Sequence, residues 1–249
     1  MKYPIAIIDY GIGGLGLYKL IRKKFPKIPL LYFSDSGEVP YGKLSRARLR
    51  SRLEKVFEFL IEQGAEKIIV ACHAASSVVL SSDKNVAGLR SQTVKAVVNA
   101  GPKSVGIIGG GRTIRSGYYR RELNKAGIKT SQRVGQRLSI LVERGEVDTL
   151  AVDEAISKIM RPLRDCSTIL LACTHYPVLS DVILKHASKG TKLIDPVDEL
   201  YKSVRSELKK FSGRNGGSVF MTTGDVDLMK AAARKAFGVN IANVKRVVI

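Results

Sequence analysis

Two segments of this chain recur at nearly one spacing, and that recurrence limits its fold more than any other feature. IAIID (residues 5–9) has a counterpart in VGIIG (105–109), 100 residues on, and IIVACHA (68–74) has one in ILLACTH (169–175), 101 residues on. Matching offsets in two independent segments point to an internal duplication of one supersecondary unit. The unit reads as strand then helix, repeated: Ile5 to Asp9 strand, Leu15 to Lys24 helix, Leu30 to Phe33 strand, Ser45 to Gln63 helix, Lys67 to Cys72 strand. Short apolar runs separated by helical periodicity imply a parallel sheet with helices on both faces. The expected architecture is therefore α/β, two pseudo-symmetric parallel-sheet α/β domains with the active site in the interdomain cleft, where open α/β sheets hold ligands.

The boundary between the units is expected at NAGPK (99–103), which supplies turn chemistry between two apolar stretches. A second break falls at SGRNGG (212–217), before a last strand, SVFMTT, and a last helix from Val226 to Phe237. That tail exceeds the second repeat and is expected to return to the first lobe. The lobes so defined are residues 1–98 with 212–249, and 99–211.

With 45% hydrophobic residues in 249, the chain buries a full core, which sets disorder aside. Its longest apolar runs are far shorter than the roughly 20 residues that span a bilayer. The opening MKYPIAIIDYGIGG does not read as a signal peptide, and a cytoplasmic protein is expected. The net charge of +20 raises a non-catalytic alternative, a basic protein that binds nucleic acid or a partner. Against it, the densest basic run (Arg46, Arg48, Arg50, Arg52) lies on a helix with an apolar stripe of Leu49, Leu53, Val56, Phe57, Leu60 and Ile61, and reads as a solvated face. Nucleic acid is accordingly not the expected partner; a small-molecule substrate is, with no membrane and with a homodimer left open.

Three cysteines make no disulfide framework. Cys72 and Cys173 each close an apolar strand and precede a polar turn, at matching places in the two repeats. Inverting a stereocentre by proton transfer needs a base on each face of the carbon, and a duplicated fold supplies two equivalent positions. A thiol, with a pKa near 8.5, can be tuned to serve as base or acid. Cys166 has no counterpart and reads as a small buried hydrophobe.

DYGIGG, YFSDSGEVPYG, ACHAASS, RTIRSGYY, LVERG, ACTHYPVL and TTGD fall in the order found in bacterial glutamate racemases of the aspartate/glutamate racemase superfamily, which the chain resembles over nearly its whole length. The resemblance implies an isomerase that interconverts L- and D-glutamate without pyridoxal phosphate, metal or nucleotide, its D-glutamate feeding peptidoglycan synthesis. It implies Cys72 and Cys173 as the two acid/base residues, with Asp9, Glu143 and His175 tuning them or relaying protons. Read alone, Asp9 could instead cap the following helix, Glu143 could be a surface residue, and His175 a structural histidine. The resemblance further implies substrate contacts from Asp9, Tyr10, Tyr41, Gly42, His73, Ala74, Thr174 and His175.

Three of those positions depart from the family. Tyr10 stands where Ser is usual, and His73 and Ala74 where Asn and Thr are. The departures leave room for a same-fold isomerase acting on an aspartate, hydantoin or maleate-type substrate. An imidazolium at His73 would favour the Cys72 thiolate and pair with an acidic substrate. One rival reading remains: GIGGLG (11–16) fits G-x-G-x-x-G between a strand and a helix, with Asp35 placed as the ribose ligand of a dinucleotide.

Overall fold

The computed structural model describes residues 3–80 and 82–249. In chain order its strands are β1 (Ile5–Asp9), β2 (Leu30–Ser34), β3 (Lys67–Val70), β4 (Val86–Gly88), β5 (Ser104–Gly109), β6 (Lys129–Val134), β7 (Thr168–Ala172), β8 (Lys192–Ile194), β9 (Ser218–Thr222) and β10 (Val244–Arg246). They form two all-parallel sheets, ordered β10-β9-β2-β1-β3-β4 and β6-β5-β7-β8. The run β2-β1-β3-β4 of the first is repeated as β6-β5-β7-β8 in the second, so the sequence duplication is a duplication of topology. The tail returns to the first sheet: β9 pairs with β2 in the register Leu30 to Ser218, and β10 pairs with β9.

The helices are α1 (Leu15–Lys24), α2 (Arg46–Glu62), α3 (His73–Ser76), α4 (Leu89–Ala100), α5 (Gly111–Arg115), α6 (Tyr118–Lys125), α7 (Gln136–Glu143), α8 (Leu150–Met160), α9 (Ser180–Lys185), α10 (Val197–Lys210) and α11 (Val226–Phe237). Side-chain caps fix three starts: Ser45 Oγ accepts from Arg48 N, Thr149 from Val152 N and Asp225 from Leu228 N. The last gives the D of TTGD its structural role.

Strand alternation sorts the core. Ile5 and Ile7 of β1 join α1, α7, α8, α10 and α11 in one apolar mass that also takes in Ile108, Ile169 and Leu171 of the second sheet. Ala6 and Ile8 face the other way, onto Leu49, Leu53, Val56 and Leu60 of α2. The outer face of the second sheet packs Val105 and Ile107 against Val97 of α4 and Tyr119 and Leu123 of α6. One core thus runs through both lobes.

Two readings of α2 change. Ile61, assigned to its apolar stripe, is 59% exposed, whereas Leu60 beside it carries the stripe onto the sheet. Its arginines are not simply a solvated face. Arg50 pairs with Asp83 (2.6 Å) and Glu54 (2.7 Å), and Arg52 with the fully buried Asp35 (2.6 Å). The third strand ends at Val70 rather than Cys72. Ala71 N–H still donates to the Ile8 carbonyl (2.9 Å), and Cys72, extended at φ −144° and ψ 122°, then turns into α3. Cys166 is half-buried against the core. No helix among the described residues is long and apolar enough to cross a membrane.

Candidate active site

The carboxyl ends of β1, β3 and β7 converge on a small cavity between the lobes. Asp9 ends β1, Cys72 lies two residues past β3, and Cys173 directly follows β7. Of the residues singled out in the sequence, Asp9, Tyr10, Tyr41, Gly42, Cys72, His73, Ala74, Cys173, Thr174 and His175 all line it. Glu143 does not, but its carboxylate contacts His175.

Asp9 is fully buried and caps no helix; α1 begins with Gly14 and has no side-chain cap. Its carboxylate accepts from Tyr10 N (2.7 Å) and from the Thr174 hydroxyl of the opposite lobe (2.9 Å). Burial raises the Asp9 pKa, against the lowering effects of His175 and of the Cys72 thiol beside it. Burial likewise pushes the Cys72 thiol well up, and the neighbouring Asp9 charge adds to the effect. Cys72 is therefore held as the protonated thiol.

Cys173 has the opposite surroundings. Its sulfur lies 3.6 Å from His175 Nδ1, and the other ring nitrogen, Nε2, meets Glu143 Oε1 at very short range. Glu143 Oε1 also accepts from Ile12 N (2.8 Å). Burial pulls the His175 pKa down, but hydrogen bonds and charge from Cys173 and Glu143 overcome it, and the imidazole is held well above its ordinary value. The sulfur thus faces an imidazolium N–H, with Glu143 as the counter-ion behind it.

The GIGG turn exists to admit these groups. A Cβ on Gly11 would overlap the Glu143 carboxylate, and one on Gly13 would overlap Thr174 Oγ1, His175 Nδ1 and Asp9 Oδ2. The space before α1 in which a pyrophosphate would lie is filled by protein side chains. Asp35, the would-be ribose ligand, is enclosed and accepts from Tyr41 (2.6 Å), Arg52 (2.6 and 2.9 Å) and Thr223 (2.9 Å). The dinucleotide reading of GIGGLG is withdrawn on these contacts.

The VPYG loop is held from both sides. Asp35 fixes the Tyr41 hydroxyl from the first lobe. From the second, Arg115 donates to the Gly42 carbonyl (3.2 Å) and Arg112 to the Leu44 carbonyl (3.2 Å). Gly42 has no side chain because Gln136 Oε1 occupies that position. Tyr10 packs its ring on Tyr41, with centroids 5.5 Å apart, and its hydroxyl donates to the Glu38 carbonyl (3.3 Å). Burial foremost, with the Glu143 charge next, lifts the Tyr10 phenol to about 12.

His73 is not an imidazolium. It is buried, Nδ1 meets the Tyr119 hydroxyl (2.7 Å), and desolvation takes its pKa down to about 3. Among the described residues no carboxylate is hydrogen-bonded to it to offset that loss. Ala74 brings only a methyl group.

Sequence reasoning missed four polar or backbone positions of the cavity wall: Gly110, Thr113, Gln136 and Ser139. Gly110 was within reach, since the 100-residue repeat maps Tyr10 onto it. Thr113 lies inside RTIRSGYY, quoted only as a family motif. Gln136, whose Nε2 donates to Ser139 Oγ (3.1 Å) and whose Oε1 accepts from Gly111 N (3.0 Å), left no signal in the sequence.

A duplicated α/β lobe that presents one thiol from each half to a shared cavity marks an isomerase of the amino-acid racemase class. A family model described as Asp/Glu/Hydantoin racemase matches residues 80–204. The chain is 30% identical to a glutamate racemase of Bacillus cereus, over 99% of this chain and 97% of that one. Among solved structures, a glutamate racemase from Bacillus anthracis superimposes with a TM-score of 0.88 at 27% identity, covering 98% of this chain and 97% of the other. One from Thermus thermophilus, in complex with β-chloro-D-alanine, gives 0.85 at 29% identity, covering 99% and 97%. The chain belongs to the Asp/Glu/hydantoin racemase family.

Proposed function

We propose that the protein interconverts L- and D-glutamate by a two-base mechanism in which Cys72 and Cys173 act on opposite faces of the α-carbon. The observation that carries this reading is that both thiols, from different lobes, line one cavity and have unlike partners. Cys173 lies 3.6 Å from His175 Nδ1, whose pKa is raised by Cys173 and Glu143, while buried Cys72 is held as a thiol beside Asp9. Cys173 would remove the α-proton of one enantiomer as Cys72 delivers its own proton to the other face; the reverse reaction exchanges the roles. Glutamate is supported by the names of the relatives. D-Glutamate for peptidoglycan and a cytoplasmic location follow from the same resemblance. The lobes are assigned as residues 1–98 with 212–249, and 99–211.

A second reading keeps the chemistry and changes the substrate, to an aspartate, hydantoin or maleate type. It is raised by Tyr10, His73 and Ala74 in the cavity wall, where among the described residues no Lys or Arg stands to take a second carboxylate of any of these substrates. His73 is neutral and already engaged, and Ala74 offers no hydroxyl, so an acidic side chain would rest on Thr113, Thr174, Gln136 and Ser139. The test is α-proton exchange in heavy water over a panel of amino acids, followed by chiral analysis. Glutamate should gain one solvent deuterium per inversion, and Cys72→Ser and Cys173→Ser should each abolish turnover. A doubly substituted protein with full turnover ends the two-thiol reading; exchange confined to another substrate selects the second.

A further inference from the structure

The charge of +20 has a place in the fold that residue order conceals. The densest basic run in the sequence, on α2, is partly neutralised by Asp35, Glu54 and Asp83. The second lobe differs. From Lys103 to Arg144 the chain carries ten Lys and Arg against two Glu, and seven of the ten are Arg. One Glu is engaged by His175, and the other, Glu122, pairs with Lys125 (3.0 Å). Among the described residues, Lys125 is the one cation of this set in an ion pair.

These cations gather on α5, α6 and β6. Arg115, Arg120 and Arg133 line an open groove with the hydroxyls of Thr130 and Ser131 and the amide of Gln132, and among the described residues its wall contains no acid. The groove runs beside β6, an outer strand of the second sheet that pairs on one side only. Arg112, on the adjoining turn, has its pKa lowered by burial first and then by Arg46 and Arg115, a crowding of like charge with no counter-ion between.

We propose that this face of the second lobe binds nucleic acid through its phosphodiester backbone, without reading sequence. Guanidinium forks match phosphate oxygens in a two-pronged geometry, and hydroxyls and edge-strand N–H groups are the usual companions of such contacts. Unpaired cations at this density release phosphate counter-ions on binding, which drives association with a polyanion. An acidic protein would need an apolar centre to its interface. On β6 the exposed large hydrophobic residue is Val134 alone.

The test is fluorescence anisotropy of a labelled mixed-sequence duplex against the full chain over a salt series. Two variants of equal charge change are compared: R120E/R133E in the groove, and K23E/K24E on the exposed end of α1. The duplex should bind at low salt, with log K falling linearly against log salt. R120E/R133E should weaken binding about tenfold or more and reduce the slope by about 2, and K23E/K24E should do far less. Neither Arg120 nor Arg133 touches the cavity, so R120E/R133E should keep the parent's thermal midpoint and α-proton exchange, which separates lost binding from lost fold. No binding at low salt, equal loss in both variants, or displacement of the duplex by polyglutamate at matched charge overturns the proposal.

Discussion

His73, next to Cys72, and His175, two residues past Cys173, are each 3% exposed, yet they are driven to opposite protonation states. His73 meets only the Tyr119 hydroxyl, so burial acts unopposed and its pKa falls to about 3. His175 suffers the same desolvation but has Cys173 on one nitrogen and Glu143 on the other, and their combined attraction wins. The repeat places Cys72 and Cys173 at equivalent positions but sets His73 against Thr174 and Ala74 against His175, so each thiol has its own electrostatic surroundings.

Glu143→Gln removes the counter-ion of His175 while keeping its shape. A hydrogen bond to a charged group contributes about 1.5 to 3 kcal/mol, so turnover should fall roughly 10- to 100-fold. Because the His175 pKa is raised in the folded protein, its contribution to stability is complete below the unfolded value near 6.5 and disappears as pH rises through the folded value. The variant should lower the folded value, moving the alkaline limb of the pH–rate profile to lower pH. It should also flatten the dependence of the urea midpoint on pH above neutrality. An unmoved alkaline limb would detach Glu143 from His175.

Gly11→Ala reaches the same pair from the opposite lobe. The new methyl group overlaps the Glu143 carboxylate, which must withdraw from Ile12 N and His175. Activity should fall by about the same factor as in Glu143→Gln. In a double-mutant cycle with Glu143→Ala, where the carboxylate is gone and the space is free, the added cost of the methyl should shrink to a few tenths of a kcal/mol. Fully additive effects would show that Gly11 serves the turn and not the contact.

The repeat offsets made the two sheets and both strand-end thiols legible, because a duplicated apolar strand leaves a pattern that tertiary contacts do not alter. Charge states were not legible. His73 lies as close in sequence to a cavity cysteine as His175 does or closer, and the partners brought in by α6 and α7 separate them. The glycines of GIGG could be seen to demand a close approach, but not by what. Glu143 comes from 131 residues away to meet Ile12, a separation that no local spacing encodes. The arginines misled in the same manner: the run dense in sequence is partly paired in space, and the free basic face is assembled from α5, α6 and β6.

Tyr119→Phe leaves His73 Nδ1 buried without its partner. The loss should cost about 1 to 3 kcal/mol of stability. His73 has a lowered folded pKa, so it binds a proton more readily unfolded; stability is complete above the unfolded value near 6.5 and declines as pH falls below it. Parent and variant should therefore both lose stability below that pH, separated by a constant offset, as chemical denaturation at several pH values would show. A gain in acid stability on replacing Tyr119 would mean that the tyrosine, and not burial, keeps the imidazole neutral.

Asp35→Asn tests whether the buried network around the VPYG loop positions substrate. Four donor contacts, from Tyr41, Thr223 and both prongs of Arg52, converge on this carboxylate. Asparagine offers one acceptor oxygen and adds two donors that find no acceptor there, leaving the Arg52 charge without its closest partner. Removing one member of a buried pair costs about 3 to 5 kcal/mol. The lower end applies here, because Glu38 Oε2 stands 3.9 Å from Arg52 and supplies part of the lost field. The thiols lie on other strands, so the chemical step should be spared. With the Tyr41 hydroxyl released, the loop that carries Gly42 into the cavity loosens, and KM should rise by about tenfold while kcat changes little. Steady-state kinetics on the soluble variant separates the two effects: a drop in melting temperature with KM unchanged would make Asp35 a stabilising residue alone.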